Sequence, residues 1–270
     1  MNSMVVSYIL TCNAPAQLEA FLASAAAAQC GLERYPTIVV NQSSSSRCDD
    51  GYQQICQQHR VAHVRTSNAG ASGGRVKCAR HFQQSLASMM FYFEDDILFH
   101  PQHDPPARCR FGFPNFVRDV LSHAVRIVVE EDLAYLKLNF HELWFDHSRN
   151  FTIQVPSFFE KLSVLGEAAY FVGDVYYSNW PMLITQAASQ AIFSALEVPM
   201  TEGIYMQRAQ ELQERRELRT GVLCAWPMGH DRRFDRGTKI DHVGAEEFAQ
   251  HEWKWLSLGP FTESIDGTVA

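Results

Sequence analysis

Residues 91–99 read Phe-Tyr-Phe-Glu-Asp-Asp-Ile-Leu-Phe, three consecutive carboxylates between two runs of large apolar residues. The run Met89–Phe93 has the length and aromatic content of a buried strand. Burying one carboxylate is costly, and burying three is prohibitive unless a cation or hydrogen-bond donors compensate. Glu94, Asp95 and Asp96 are therefore expected at the carboxyl end of a central strand, where α/β sheets place ligands. Hard divalent ions such as Mg²⁺ or Mn²⁺ choose carboxylate oxygens and bridge them to phosphates. The bland alternative is a solvated strand end, and the apolar flanks argue against it.

A second pattern is Ser67-Asn68-Ala69-Gly70-Ala71-Ser72-Gly73-Gly74-Arg75, expected to follow a strand and open a helix. Its three glycines allow a backbone to approach a ligand closely. The helix N-terminus beyond it offers free N–H groups to an anion, and Arg75, Lys77 and Arg80 add positive charge. The pattern is neither a Walker A loop nor a GxGxxG fingerprint. Taken alone, a plain flexible turn accounts for it equally well.

These groups need a scaffold, and the first hundred residues supply an alternating one. Val5–Thr11 reads as a strand, Ala16–Ala28 as a helix closing near Gly31, and Thr37–Val40 as a second strand. Gly51–His59 is an expected helix and Val61–Arg65 a third strand. A loop over Thr66–Arg75 precedes a helix from about Val76 to Ser88, and Met89–Phe93 follows as a strand. This alternation specifies an α/β fold with a mainly parallel central sheet. Pro101–Arg110 reads as a loop and Asn115–Asp132 as a long helix. Tyr135–Trp144 and Ala168–Val172 suggest strands of mixed direction. Pro199–Arg219 reads as a helix, with Thr201 as its N-cap, and Gly221–Ala225 as a strand. No internal repeat or linker is visible. The expectation is one domain over 1–270, with a nucleotide-binding half (1–100) and an elaborated acceptor-binding half (101–270).

The 270 residues are 46% hydrophobic and 20% charged, an ordinary globular composition that supports a sizeable core. A formal net charge of −7 argues against nucleic-acid or anionic-membrane binding through bulk charge, though a local basic patch is compatible with it. Seven scattered cysteines without a CxxC pair speak against a zinc knuckle and for a reduced, cytoplasmic setting. The N-terminus lacks a basic n-region, and no apolar stretch reaches membrane-spanning length.

A strand–helix–strand start, a glycine-rich segment entering a helix with arginines, and an acidic triplet ending a strand together resemble the nucleotide-sugar glycosyltransferases of the GT-A fold. The resemblance covers Val5 to about Phe99. The family's DxD motif would here be Glu94-Asp95-Asp96, and its Glu-Asp-Asp form followed by Ile-Leu-Phe is similar to the N-acetylglucosaminyltransferase I branch. Inverting members place an acidic base at the start of a late helix, then a strand, then a metal-binding His. Thr201-Glu202-Gly203, Gly221–Ala225 and His230 follow that order.

The resemblance implies Mn²⁺ or Mg²⁺ held by Asp96 and His230, bridging the phosphates of a nucleoside diphosphate sugar, with a UDP-sugar favoured. Asp95 and Glu94 would hold the metal's water shell, the ribose or the sugar. Thr11, Asn13, Asn41 and Gln42 end early strands where the family binds the nucleoside, and Asn68 and Arg75 would contact base or phosphates. Glu202 would take the proton from an acceptor hydroxyl, on a glycan or on a modified nucleobase, and Asp174 is a rival base. Each has a plainer reading. Glu202 can stabilise a helix N-terminus through the dipole, and His230 can pair with Asp231. A sugar-1-phosphate nucleotidyltransferase is the alternative activity, but Thr11-Cys12-Asn13-Ala14-Pro15 lacks the glycine-rich, basic loop such enzymes carry after the first strand. A non-catalytic binder of the same fold is the third reading.

Overall fold

The structure is a computed structural model, and it describes residues 4–43, 48–103, 106, 113–140, 159–175, 177–178, 180–194 and 202–230. It opens with β1 (Val5–Thr11), α1 (Pro15–Ala27), β2 (Thr37–Asn41), α2 (Asp49–His59), β3 (Ala62–Arg65), α3 (Gly70–Gln83), β4 (Met89–Glu94) and β5 (Ile97–Phe99). There follow α4 (Val120–Glu131), β6 (Tyr135–Lys137), β7 (Phe159–Leu165), β8 (Ala168–Gly173) and β9 (Met182–Thr185). The last elements are α5 (Gln186–Phe193), α6 (Glu202–Glu214), β10 (Thr220–Leu223) and β11 (Met228–His230).

Nine strands form one sheet in the order β3-β2-β1-β4-β9-β6-β10-β8-β7, and β5 pairs with β11 beside it. The four strands from β3 to β4 are parallel, as the alternating pattern predicts. From β9 onward the directions are mixed, with only β6 and β10 parallel. The architecture is mixed α/β with helices on both faces. Among the described residues, no helix is long and apolar enough to cross a membrane.

The core divides by strand alternation. Val5 and Ile9 of β1 and Met89, Phe91 and Phe93 of β4 face α1, α2 and α4, meeting Leu18, Phe21, Tyr52 and Leu121. Val6, Tyr8 and Leu10 of β1 and Met90 and Tyr92 of β4 face α3, α5 and α6, meeting Val76, Phe82, Ile192 and Tyr205. Because both faces are covered, β1 and β4 read as near-continuous apolar runs, interrupted in β1 by the buried Ser7. Each such buried side chain contributes about 1.5–3 kcal/mol relative to exposure, which fixes where β4 ends and hence where the carboxylates begin.

Several boundaries differ from expectation. The helix expected to reach Ser88 ends at Gln83, and the one expected to reach Arg219 ends at Glu214, with Arg216 left-handed at φ 60°. The segment expected to be a loop up to Arg75 is helical from Gly70 onward. A Cβ on Gly74 would lie 2.2 Å from Gln42 Nε2 and 2.7 Å from both Leu10 δ-methyls, so its glycine serves close packing of α3 on β1. The helix expected from Asn115 starts at Val120, because Asp119 sits in the left-handed region at φ 51° and breaks the helical run. The strand expected over Tyr135–Trp144 ends at Lys137, and residues 141–158 lie outside the described part.

Candidate functional site

Glu94 is the last residue of β4, Asp95 and Asp96 make the turn, and Ile97 opens β5. The triplet thus emerges at the carboxyl end of the strand neighbouring β1, as expected. A cleft of about 150 Å³ lies there, lined by Leu10, Thr11, Cys12, Gln42, Asn68, Gly70, Ala71, Glu94, Asp95 and Asp96. Six residues singled out from sequence therefore meet in one place: Thr11, Gln42, Asn68, Glu94, Asp95 and Asp96.

Adjacent carboxylates in the triplet are held from opposite faces of the sheet. On the α1/α2 face, Asp95 is 6% exposed and its Oδ2 accepts a hydrogen bond from Thr11 Oγ1. Thr11 Oγ1 in turn meets Tyr52 Oη at 2.7 Å, and Tyr52 Oη accepts from the Ala14 N–H at 2.7 Å. With the Thr11 hydrogen directed at Asp95, Tyr52 is the donor to Thr11. Burial, partly countered by the Thr11 hydrogen bond, holds the Asp95 carboxyl well above the usual carboxylate range, and the neighbouring Asp96 and Glu94 charges push the same way. On the α3/α6 face, Glu94 Oε1 accepts from Tyr92 Oη at 3.1 Å and lies 3.8 Å from the Arg75 guanidinium.

Gln42 closes the cleft's other wall. Its Oε1 accepts from the Ala69 N–H at 2.9 Å and its Nε2 donates to the Gly70 carbonyl at 3.1 Å. The Asn68 side chain caps the same turn, Oδ1 accepting from the Gly70 N–H at 2.8 Å. The N-terminus of α3 therefore reaches the cleft through Gly70 and Ala71. The Ala69 and Gly70 N–H groups are already taken by Gln42 and Asn68, and the positive end of the helix dipole favours an anion there.

Other predicted residues stand further back. Asn41 is fully buried, donating to Asp49 Oδ1 at 3.3 Å and accepting from the Ser43 N–H at 2.8 Å. Asn13, at φ 55°, has its N–H bonded to Ser43 Oγ at 2.8 Å. Neither is among the cleft-lining residues. Arg75 is 1% exposed and holds Glu94 from behind, so direct contact with a phosphate from this position is closed to it. His230 pairs with Ile97 across the β5–β11 ladder, one residue beyond Asp96; its side chain lies outside the described part. Glu202 is the first residue of α6, and its side chain is likewise undescribed. At the other end of α6, Gln213 Nε2 donates to Val175 O at 2.7 Å and to Thr220 Oγ1 at 3.0 Å, at the amino end of β10. Near the start of the helix, the Tyr205 ring lies 5.8 Å from the Arg75 guanidinium, which itself faces Glu94, so the first turn of α6 stands toward the cleft end of the sheet.

Asp174 is not brought to the cleft. Registers across the sheet set Gly173 level with Thr220, Tyr135, Ile184 and Met90, at the amino end of β4. Asp174 is bonded there to Arg216 at 2.7 Å. β8 runs opposite to β4, so its carboxyl end faces away from the acidic triplet.

A larger groove of about 520 Å³ lies between Leu22–Ala26, Leu32–Thr37 and His59–Val61. It contains none of the predicted residues. The C-termini of α1 and α2 both end in it, beside Arg34 and Arg60.

Sequence reasoning missed Tyr52, Cys12 and Tyr92. A signal for Tyr52 was available: with Cys56 four positions on, and Ile55 beside that, it makes the apolar stripe of a mostly polar α2.

No family model and no curated protein matches this sequence. Among solved structures, TarS 1–349 of S. aureus in complex with UDP-GlcNAc is similar, with a TM-score of 0.50, 14% identity, and coverage of 82% of this chain and 56% of that one. The mannosyltransferase PcManGT of Pyrobaculum calidifontis in complex with GDP-Man and Mn²⁺ shows 15% identity and a TM-score of 0.37 over 51% of this chain and 36% of its own. A cytidylyltransferase of Leptospira borgpetersenii shows 10% identity and a TM-score of 0.45 over 86% and 79%. This chain spans 35% of the longer TarS chain. The fold is mixed α/β with a large central sheet, of the Rossmann-like GT-A type.

Proposed function

We propose that the chain is a metal-dependent glycosyltransferase that moves a sugar from a nucleoside diphosphate sugar to an acceptor hydroxyl with inversion. The observation that carries this reading is the meeting of Thr11, Gln42, Asn68, Glu94, Asp95 and Asp96 in one cleft at the carboxyl ends of β1 and β4. A UDP-sugar is the favoured donor, and the fold's likeness to a TarS structure holding UDP-GlcNAc supports that choice. The acceptor is proposed to be a glycan or a hydroxylated base in DNA. Residues 1–100 are proposed as the donor half and 101–270 as the acceptor half.

The residues fit a hard dication. Among the described residues, no three His, Cys, Asp or Glu side chains form a ready-made metal cage. Mg²⁺-like ions are held by one or two carboxylates plus substrate phosphates, which is what a cleft-lining Asp96 beside the His230 backbone supplies. Bound there, the cation would neutralise charge developing on the leaving diphosphate. Asp95 and Glu94 would orient donor groups from their two faces. The cleft-end N-terminus of α6 suits Glu202 for the acceptor hydroxyl proton. The acceptor oxygen then forms the new bond to the sugar carbon as the carbon–oxygen bond to the diphosphate breaks. Such a base is typically worth roughly 10²- to 10⁴-fold.

The test is a thermal-shift screen of nucleoside diphosphates and their sugars with and without Mn²⁺, followed by detection of released nucleoside diphosphate with added acceptors. Stabilisation that needs both nucleotide and metal, and is lost in Asp96→Ala, supports the reading. Absence of any metal-dependent nucleotide stabilisation overturns it. Binding without turnover across acceptors would assign the chain to a non-catalytic role.

A further inference from the structure

Arg75 joins parts of the molecule that the cleft alone does not connect. Its guanidinium carbon lies 4.0 Å from the Tyr92 ring centroid and 5.8 Å from that of Tyr205 in α6. One terminal nitrogen donates to the Ser178 carbonyl at 2.8 Å, and the other lies 3.8 Å from Glu94 Oε1. A second buried cation, Lys137, converges on the same segment. Its Nζ donates to Ser178 O at 3.1 Å, Ser178 Oγ at 3.0 Å and Trp180 O at 2.8 Å. Two fully buried cations thus grip the chain ahead of β9, and one of them also faces a carboxylate of the cleft.

We infer that Arg75 is a positioning residue that couples the donor-side carboxylate Glu94 to the acceptor-side Ser178 segment and α6. The inference rests on the reading of the cleft as a donor site. The guanidinium is a rigid planar fork, so the directions in which it serves Glu94 and Ser178 are fixed relative to each other. Because Arg75 is 1% exposed, water cannot replace either partner without opening the core. A shift of Glu94 on donor capture is therefore felt at Ser178 and at Tyr205. Tyr205 lies one turn beyond Glu202, the proposed base. The Arg75 side chain contacts no ligand in this scheme. It acts through Glu94 on one side and α6 on the other.

A double-mutant cycle tests the donor side. Binding of UDP, GDP and CDP, each with Mn²⁺, is titrated calorimetrically against wild type, Arg75→Met, Glu94→Gln and the double variant. Arg75→Met is expected to weaken the nucleotide that binds by about tenfold in the wild-type background and by less than about twofold in the Glu94→Gln background. Equal losses in both backgrounds, or no loss in either, overturn the coupling. Arg75→Lys stands in if the Met variant does not fold: it keeps the charge, loses the fork, and should give an intermediate loss with the same dependence on Glu94. For the acceptor side, amide exchange in Gly203–Met206 should slow on nucleotide binding in wild type and not in Arg75→Lys. Unchanged exchange in wild type overturns the link to α6. If wild type binds none of the three nucleotides with Mn²⁺, the donor-site reading itself fails, a result separate from every outcome of the cycle.

Discussion

His230 lies directly opposite Ile97 in an antiparallel pair, one residue from Asp96. Residues 134 positions apart in sequence are thereby brought to one turn by a ladder of three pairs. The pairing brings the backbone of the late histidine beside the acidic triplet and so supports the proposal that the two serve one site.

The first prediction follows from that pairing. Asp96→Ala and His230→Ala should each weaken Mn²⁺-dependent nucleotide binding at least about tenfold, since charge-assisted contacts are worth about 1.5–3 kcal/mol. Asp174→Asn should leave it unchanged. Asp174 sits at the other end of the sheet in an ion pair with a half-exposed Arg216, a type worth about 0–1 kcal/mol. Titration calorimetry of the three variants decides it; a loss in Asp174→Asn comparable to that in Asp96→Ala would return Asp174 to the site.

A second prediction concerns the α3–β1 contact. Gly74→Ala would set a methyl 2.2 Å from Gln42 Nε2 and 2.7 Å from Leu10. Overpacking of this kind costs about 1–3 kcal/mol. Because Gln42 also holds Ala69 and Gly70 at the cleft, nucleotide affinity should fall along with the melting temperature. Gly70→Ala meets no atom within 4 Å and is strained only by its φ of 70°, so it should cost less. Denaturant melts of the two variants order them.

Much of this site was legible because it rests on local patterns. The apolar flanks of Glu94–Asp96 fixed a strand end, and the alternating elements before it fixed a parallel sheet with that end at the ligand side. The rest depended on tertiary direction. Asp174 follows a strand signal as clear as that of β4, but nothing local says that β8 runs the opposite way. Arg75 in a glycine-rich stretch reads as a phosphate contact, while Tyr92, Ser178 and Tyr205, which surround it, come from a strand, a connection and a helix far apart in sequence. Gly73 and Gly74 read as loop because glycine is a poor helix former by about 1 kcal/mol, a preference overridden by the close approach to Leu10. β7, β9 and α5 fall where short apolar runs carry no distinguishing period.

Tyr52→Phe isolates one oxygen. The ring remains to pack in the core, while the Ala14 N–H loses its acceptor and Thr11 its donor. Leaving a buried donor unmet costs about 1–3 kcal/mol. Thr11 is then free to turn from Asp95, so nucleotide affinity with Mn²⁺ should fall several-fold, beyond what any loss of folded protein accounts for. Stability and affinity measured on the same preparation separate the two effects; an affinity identical to wild type would show that Thr11 holds Asp95 without help.

Cys12 provides a chemical probe of the cleft. It is partly exposed and lines the pocket, whereas Cys30, Cys56, Cys78 and Cys224 are buried. Alkylation by N-ethylmaleimide should modify Cys12 and Cys48 ahead of those four, and a bound nucleotide should slow modification at Cys12 alone. Peptide mass mapping with and without nucleotide and Mn²⁺ reads this directly. Equal protection at Cys48 would indicate general tightening in place of occupancy.

His100 gives the fold a pH dependence with a defined sign. It follows β5, is 1% exposed, and its N–H donates to Pro227 O at 2.9 Å, fastening the chain after β5 to the approach of β11. Burial, with a smaller push from the neighbouring His103, lowers its pKa from 6.5 to about 3. The folded value lies below the unfolded one, so the unfolded chain takes up the proton first as pH falls. The stabilisation is complete above pH 6.5 and is lost progressively as pH drops from 6.5 toward 3. Integrated over that window it amounts to at most about 5 kcal/mol, at 1.36 kcal/mol per pH unit. His63, whose pKa is lowered chiefly by burial, contributes with the same sign, while the buried Asp95 carboxyl, held above its usual range, acts with the opposite sign and is common to wild type and His100→Gln. Thermal melts between pH 7 and pH 4 should therefore show stability falling with acid in wild type. In His100→Gln the fall should be shallower without vanishing, since His63 is retained. Parallel slopes for the two proteins would mean that His100 takes up its proton in the folded state as readily as in the unfolded chain.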